Sequence, residues 1–156
     1  MTVIGVTGPR RLDLDQHQQV LREMKALILL ANPRPELYVG DAKGVDAIAR
    51  AFGEYTKMRL WRADVHSNLP LAARTAKRSE QMVRALATAG GTLHAWPNKP
   101  APLDLRPSRN WPKHVERSGT WGTIAMAVGL GVPVVIHPLA EIAVVDWVQQ
   151  KQLTLL

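Results

Sequence analysis

The 156-residue chain contains no cysteine. Disulfides, thiolate metal sites and a cysteine nucleophile are therefore excluded. No apolar run approaches the roughly 18 residues of a membrane span. The opening residues, Met1 to Gly8, also lack a basic leader and cleavage site, so a cytoplasmic protein without a membrane partner is expected. Aromatic residues are scarce at 5%, yet five are Trp, against two Tyr and one Phe. The histidines, His17, His66, His94, His114 and His137, show neither an HExxH pattern nor paired ligand spacing. No metal site and no cofactor are expected from them, and no GxSxG nucleophile elbow is present.

What is present is the composition of a globular protein, 46% apolar and 21% charged, with a length that favours one domain and a sizeable core. Twenty Lys and Arg stand against 13 Asp and Glu, a net charge of +7. That excess predicts an anionic partner without choosing between a nucleotide, a nucleic acid and an acidic protein.

Apolar patterning organises the chain. Thr2 to Thr7 is short, rich in β-branched residues and stopped by Gly8-Pro9, a buried strand. Asp13 is a candidate N-cap with Gln16 three residues on, and Val20, Leu21, Met24, Leu27, Ile28 and Ala31 recur at helical spacing until Asn32-Pro33. Strands are expected at 36–40, 58–63, 92–96 and 132–137, and helices at about 44–56, 69–89 and 118–130. In the third helix, Leu71, Thr75, Met82, Val83 and Leu86 are expected to face inward. Residues 97–118 carry five prolines and no periodicity, a long loop. The tail from Glu141 to Gln152 reads as a final helix or a helix-strand segment. No internal repeat is present. Strict β-α alternation predicts an α/β fold: a three-layer, Rossmann-like, mostly parallel sheet of about five or more strands with helices on both faces. Residues 1–156 read as one domain, with the loop at about 98–118 and the segment 139–156 left open between an interface and one edge of the core.

Such sheets bind ligands beyond the carboxyl ends of their strands, and the unusual residues of this chain follow its strands. After the first strand come Gly8-Pro9-Arg10-Arg11, a tight turn with two guanidiniums suited to phosphate or carboxylate. After the second come Gly40, Asp41, Lys43 and Gly44, running into a helix whose N-terminus favours an anion. This is neither the GxGxxG fingerprint nor a P-loop. Asp46 either stabilises the first helical turn or touches ligand. Before the fifth strand, Gly119, Thr120, Gly122 and Thr123 open another helix with backbone N–H groups and hydroxyls. Arg74, Lys77 and Arg78 lie on the helix after the third strand, where Lys77 reads as a solvated charge.

These motifs resemble the SLOG superfamily of Rossmann-like proteins. Val6-Thr-Gly-Pro-Arg10, Val39 to Asp46 with Ala49, Ala63-Asp64, Arg78 with Met82, and Gly119 to Thr123 with Gly131-Val-Pro-Val134 carry the resemblance, over residues 2 to about 137. That group includes the LOG "lysine decarboxylase-like" phosphoribohydrolases, the DNA-processing protein DprA and small YspA/YpsA-like proteins, the last being most similar in pattern. The resemblance implies binding or sensing of a nucleotide or nucleotide-derived ligand at Gly8, Gly40, Gly44, Arg78, Gly119, Gly122 and Thr123. It also implies homo-oligomerisation, with the apolar tail around Ile142 and Trp147 as a candidate interface. Two departures stand out. Met126 occupies the position of the LOG hydrolase Glu, and Ser79 replaces an Asn of the YspA-like pattern.

Cleavage of an N-glycosidic bond needs a carboxylate. Asp41 and Asp64, both at strand ends, are the remaining catalytic candidates for a nucleoside-monophosphate N-glycosidase, although Asp41 would equally suit a ribose hydroxyl. Single-stranded nucleic acid is a third reading. The 98–118 loop holds Lys99, Arg106, Arg109, Lys113 and Arg117 with Trp111 between them, and Trp96, Trp111 and Trp121 would supply stacking surfaces. As alternatives, the loop is a lid over a nucleotide or a solvated connection. No RRM, HTH or zinc motif accompanies it.

Overall fold

A computed structural model describes residues 2–40, 42–63, 69–143 and 145–148. Nine elements follow in order: β1 (Val3–Thr7), α1 (Leu14–Leu29), β2 (Glu36–Val39), α2 (Val45–Tyr55), β3 (Leu60–Arg62), α3 (Leu71–Thr88), β4 (Thr92–Ala95), α4 (Gly119–Gly129) and β5 (Val134–Ile136). The strands pair in the order β3-β2-β1-β4-β5, every pair parallel. Ile4 pairs with Leu37 on one side and Thr92 on the other, so β1 is the central strand. Its five residues are all buried, as a strand covered on both faces requires.

Because parallel neighbours are joined by right-handed crossovers, the two connections running one way from β1 and the two running the other way put their helices on opposite faces. Two apolar clusters result. Val20, Met24 and Ile28 of α1 join Val45, Ile48 and Ala49 of α2 on one face. Met82, Val83 and Leu86 of α3 join Trp121, Ile124 and Met126 of α4 on the other.

Local signals set the ends of the helices. Asp13 caps α1: its Oδ1 accepts from Gln16 N–H at 2.8 Å, and Gln16 Oε1 accepts from Asp13 N–H at 3.3 Å. At the end of α3 the Gly91 N–H reaches Leu86 O at 3.0 Å and the Gly90 N–H reaches Ala87 O at 3.2 Å, a Schellman closure with Gly90 at φ +69°. The end of α2 closes in the same way on Met58 and Lys57, but here a lysine holds the left-handed position, φ 56°.

Three sequence expectations need correction. Leu71 and Thr75 were expected inside; Leu71 is 57% exposed and Thr75 half-buried, because the first turns of α3 project past the sheet's edge. Leu21 is exposed too, on the rim of an open groove between α1 and α2. The helix expected from Glu141 is absent from the described part of that tail. Residues 141–143 and 145–148 run irregularly, with Val148 N–H on Val145 O, and Trp147 packs edge-on against Trp121 with centroids 6.2 Å apart. Apolar spacing there serves burial against the α3–α4 cluster without helical hydrogen bonding. Residues 149–156 lie outside the described residues.

The 97–118 connection contains no helix or strand, as its prolines predict. It is nevertheless well packed. Leu105 is fully buried, Arg84 of α3 donates to Arg109 O and Asn110 Oδ1, and Glu80 Oε1 accepts the Trp111 N–H. A Cβ at Gly129 of α4 would collide with the Ser108 backbone, and one at Gly122 would meet the Trp111 ring. The loop therefore lies across the outer side of α4. That cover explains why Thr120 to Ala127 are buried without interruption in a helix that is apolar nearly all round.

Candidate functional site

The strand order reverses between the parallel neighbours β1 and β4, which lead to helices on opposite faces. Beyond their carboxyl ends lies a cleft of about 730 Å³. Thr7, Gly8, Pro9, Arg10 and Arg11 come to it from β1, and Pro97, Asn98 and Lys99 from β4. Leu71, Thr75, Ala76 and Ser79 of α3 form one wall. Trp111, Val115 and Arg117 of the long loop, with Ser118 to Trp121 at the start of α4, form another; Ala42 and Asp46 complete the described lining.

Charge in the cleft is one-sided. Arg10, Arg11, Lys99 and Arg117 line it against Asp46, the one carboxylate among its described walls. Arg10 is aimed by a hydrogen bond from Nη2 to Thr75 Oγ1 at 2.7 Å, which spans the cleft from the β1 turn to α3. Arg11 is held through its backbone, whose carbonyl accepts from Asn98 Nδ2 at 3.4 Å. Ser118 Oγ takes the Trp121 N–H at 3.3 Å and caps α4, whose first residues Gly119 and Thr120 face the cleft. The positive end of that helix adds to the four side-chain cations.

Of the residues singled out from the sequence, Gly8, Arg10, Arg11, Gly119 and Thr120 meet in this cleft. Gly122 and Thr123 lie outside its walls: Gly122 is covered by Trp111, and the Thr123 hydroxyl donates to Gly119 O at 2.8 Å. Gly40 sits beneath the Asp46 carboxylate, and its carbonyl accepts from Arg50 at 2.8 Å. Lys43 is exposed and lines no wall of the cleft. Gly44, at φ +73°, packs against the carbonyls of Pro9 and Arg10, and a Cβ at Gly8 would collide with Val45. The glycines of the first two loops therefore let the β1 turn and the start of α2 interlock. Arg78 is half-buried on α3 outside the cleft lining, and it is engaged in a contact of its own. Asp41 and Asp64, the catalytic candidates, lie outside the described residues.

The tryptophans divide sharply. Trp96 is fully buried on the α1 side of the sheet. Trp121 is buried, with its Nε1–H donating to Lys99 O at 2.8 Å, so it braces the cleft floor without offering a free face. Only Trp111, half-buried at the cleft wall, retains the character of a stacking surface expected of all three.

Sequence reasoning did not single out Thr75 as a site residue, left Asp46 between a helix-turn and a ligand role, and named Lys99 and Arg117 only among the basic residues of the long loop. Their signal is positional: Lys99 follows β4 and Arg117 precedes α4, the two places where this architecture puts a ligand.

No family model matches the sequence, and no curated protein matches it. Among solved structures, the fold is similar to that of DNA processing protein A (DprA) from Streptococcus pneumoniae, with a TM-score of 0.52 and 15% identity. The match covers 95% of this chain and 53% of that one, so the chain spans about half the length of that protein's structure. At this identity the likeness is one of architecture: the chain has the Rossmann-like, parallel α/β fold that DprA also contains.

Proposed function

We propose that the chain is a small SLOG-like domain of the YspA-like type that binds a nucleotide or nucleotide-derived ligand in the cleft beyond β1 and β4. One observation carries this reading: four cations and the N-terminus of α4 converge on a cleft of about 730 Å³ whose described walls hold a single carboxylate. The phosphate sits among Arg10, Arg11, Arg117 and the first turn of α4, and the apolar walls formed by Leu71, Ala76, Trp111 and Val115 take the remainder of the ligand.

A thermal-shift panel of AMP, ADP-ribose, NAD and cyclic nucleotides tests it. At about 100 times its dissociation constant, a ligand of the folded state adds roughly 2.7 kcal/mol of stability, easily read as a rise in melting temperature. The rise should shrink strongly in Arg11→Ala and Arg117→Ala. No shift with any member, or shifts indifferent to both substitutions, removes the proposal. Gly44→Trp is unsuitable as a control, since its side chain would strike the Pro9 and Arg10 carbonyls and disturb the fold.

Two other readings rest on specific observations. Asp46 supplies a carboxylate at the cleft for N-glycosidic hydrolysis, a role for which the sequence also offers Asp41 and Asp64, outside the described residues. Release of base from AMP, lost in Asp46→Asn, would establish it. Single-stranded nucleic acid is favoured by the net charge of +7 and by a structural neighbour described as a DNA processing protein. It requires single-strand binding that weakens steeply with salt and with Trp111→Ala.

A further inference from the structure

Glu23, His94 and His137 form a chain of ionisable side chains outside the cleft, on the α1 side of the sheet. His94 projects from β4, and His137 directly follows β5. His94 Nδ1 and His137 Nε2 lie 2.9 Å apart, and His137 Nδ1 lies 3.3 Å from Glu23 Oε2 on α1. Trp96 stacks on the His137 ring, centroids 4.5 Å apart, and its Nε1–H donates to the same Glu23 oxygen at 3.2 Å. Gln19, one turn earlier on α1, donates to Glu23 Oε1 at 2.7 Å and to Pro138 O at 3.0 Å. One carboxylate therefore ties α1 to both β4 and β5.

The geometry limits how many protons this cluster can hold. A nitrogen-nitrogen hydrogen bond needs one N–H and one lone pair. Two neutral rings satisfy it, with His137 donating from Nδ1 to Glu23 and accepting from His94. One added proton also satisfies it, because a charged His137 donates from both nitrogens. A second added proton does not: two N–H groups would face each other, and two like charges would sit 2.9 Å apart where His94 is only 7% exposed. Burial already pushes the His137 imidazole below the ordinary histidine value, with Glu23 pulling the other way.

We propose that the His94–His137 pair is a one-proton pH sensor, clamping α1 to β4 and β5 through Glu23 until a second proton forces the rings apart. Among the described contacts, the ionisable members of the cluster are Glu23 from α1, His94 from β4 and His137 after β5, while Gln19 and Trp96 stay neutral. A short path links the clamp to the cleft. The Trp96 backbone N–H donates to Thr7 O at 3.0 Å, and the next residues, Pro97, Asn98 and Lys99, line the cleft.

Imidazole nitrogen resonances of the full chain, followed together with the Trp96 indole N–H from about pH 8 to about pH 4.5, test the proposal directly. The expected result is two coupled steps, the second below the ordinary histidine value, with the Trp96 signal moving in that second step. Melting temperature should fall across the second step in the native sequence and fall less in His94→Gln, which keeps a hydrogen-bonding partner for His137 but cannot take a second charge. If His94→Gln folds poorly, the native titration decides alone. Two independent titrations near 6.5, or a Trp96 signal that ignores the second step, overturns the proposal.

Discussion

Both helical layers pack on the sheet through apolar clusters, but what completes each layer differs. On the α3–α4 side an apolar cluster continues outward into the proline-rich loop, which lies over α4 and excludes water from it. On the α1–α2 side no loop among the described residues is laid over the helices. An open groove of about 600 Å³ runs between them, with Leu12, Leu21, Ile48, Phe52 and a 90%-exposed Tyr55 on its walls. There the far edge of α1 is held by the polar contacts of Glu23 to Trp96 and His137. Apolar fastening is indifferent to pH, whereas a fastening made of a carboxylate and imidazoles is not.

The largest expected effect comes from breaking the cover. Gly129→Val forces a side chain into the Ser108 backbone and should cost about 2–4 kcal/mol in urea denaturation, with new protease cleavage in the 98–118 loop. Leu105→Ala, which leaves a cavity under the same cover, should cost about 2–3 kcal/mol without shifting the loop; an unchanged denaturation midpoint would mean the loop contributes no core.

Lowering the pH should loosen the other layer. Because burial depresses His137 in the folded chain, the unfolded chain takes up its proton first as pH falls below the ordinary histidine value. Stability is then lost between that value and the lower folded one, and hydrogen exchange should rise in α1 before α4. Equal exchange in both helices would erase the distinction between the layers.

Two smaller effects sharpen the contrast. Lys57→Gly relieves a left-handed lysine at the end of α2 and should add up to about 1 kcal/mol to the denaturation free energy. Tyr55→Lys should change monomer stability by less than about 0.5 kcal/mol. If the chain self-associates through the α1–α2 groove, the same substitution should lower its mass in light scattering.

Much of the architecture is legible locally. Asp13 with Gln16 marks the start of α1, Gly90-Gly91 and Gly131 stop α3 and α4, and β-branched runs separated by helical periods imply the parallel sheet. Of the glycine-rich loops, Gly8, Gly119 and Thr120 lie with Arg10 and Arg11 at one cleft. Gly122, however, looks from sequence like a site for backbone approach to an anion, and it serves approach by Trp111 instead. Glycine permits close contact with anything, and sequence does not say with what. The histidines were equally opaque. Ligand spacing along a chain does not reveal a pair 43 residues apart that adjacent parallel strands place side by side.

By itself, then, the sequence determined what depends on neighbours within a few residues: caps, helix stops, strand runs and hence the alternating α/β order with basic residues after the strands. Tertiary structure alone decided which of those residues share the cleft, that an aperiodic loop completes the burial of α4, and that two histidines meet on the α1 side of the sheet. The reason is physical. Backbone hydrogen bonding in helices and turns is satisfied within about four residues, whereas side-chain packing and ionic coupling depend on distances in space that only the folded sheet sets.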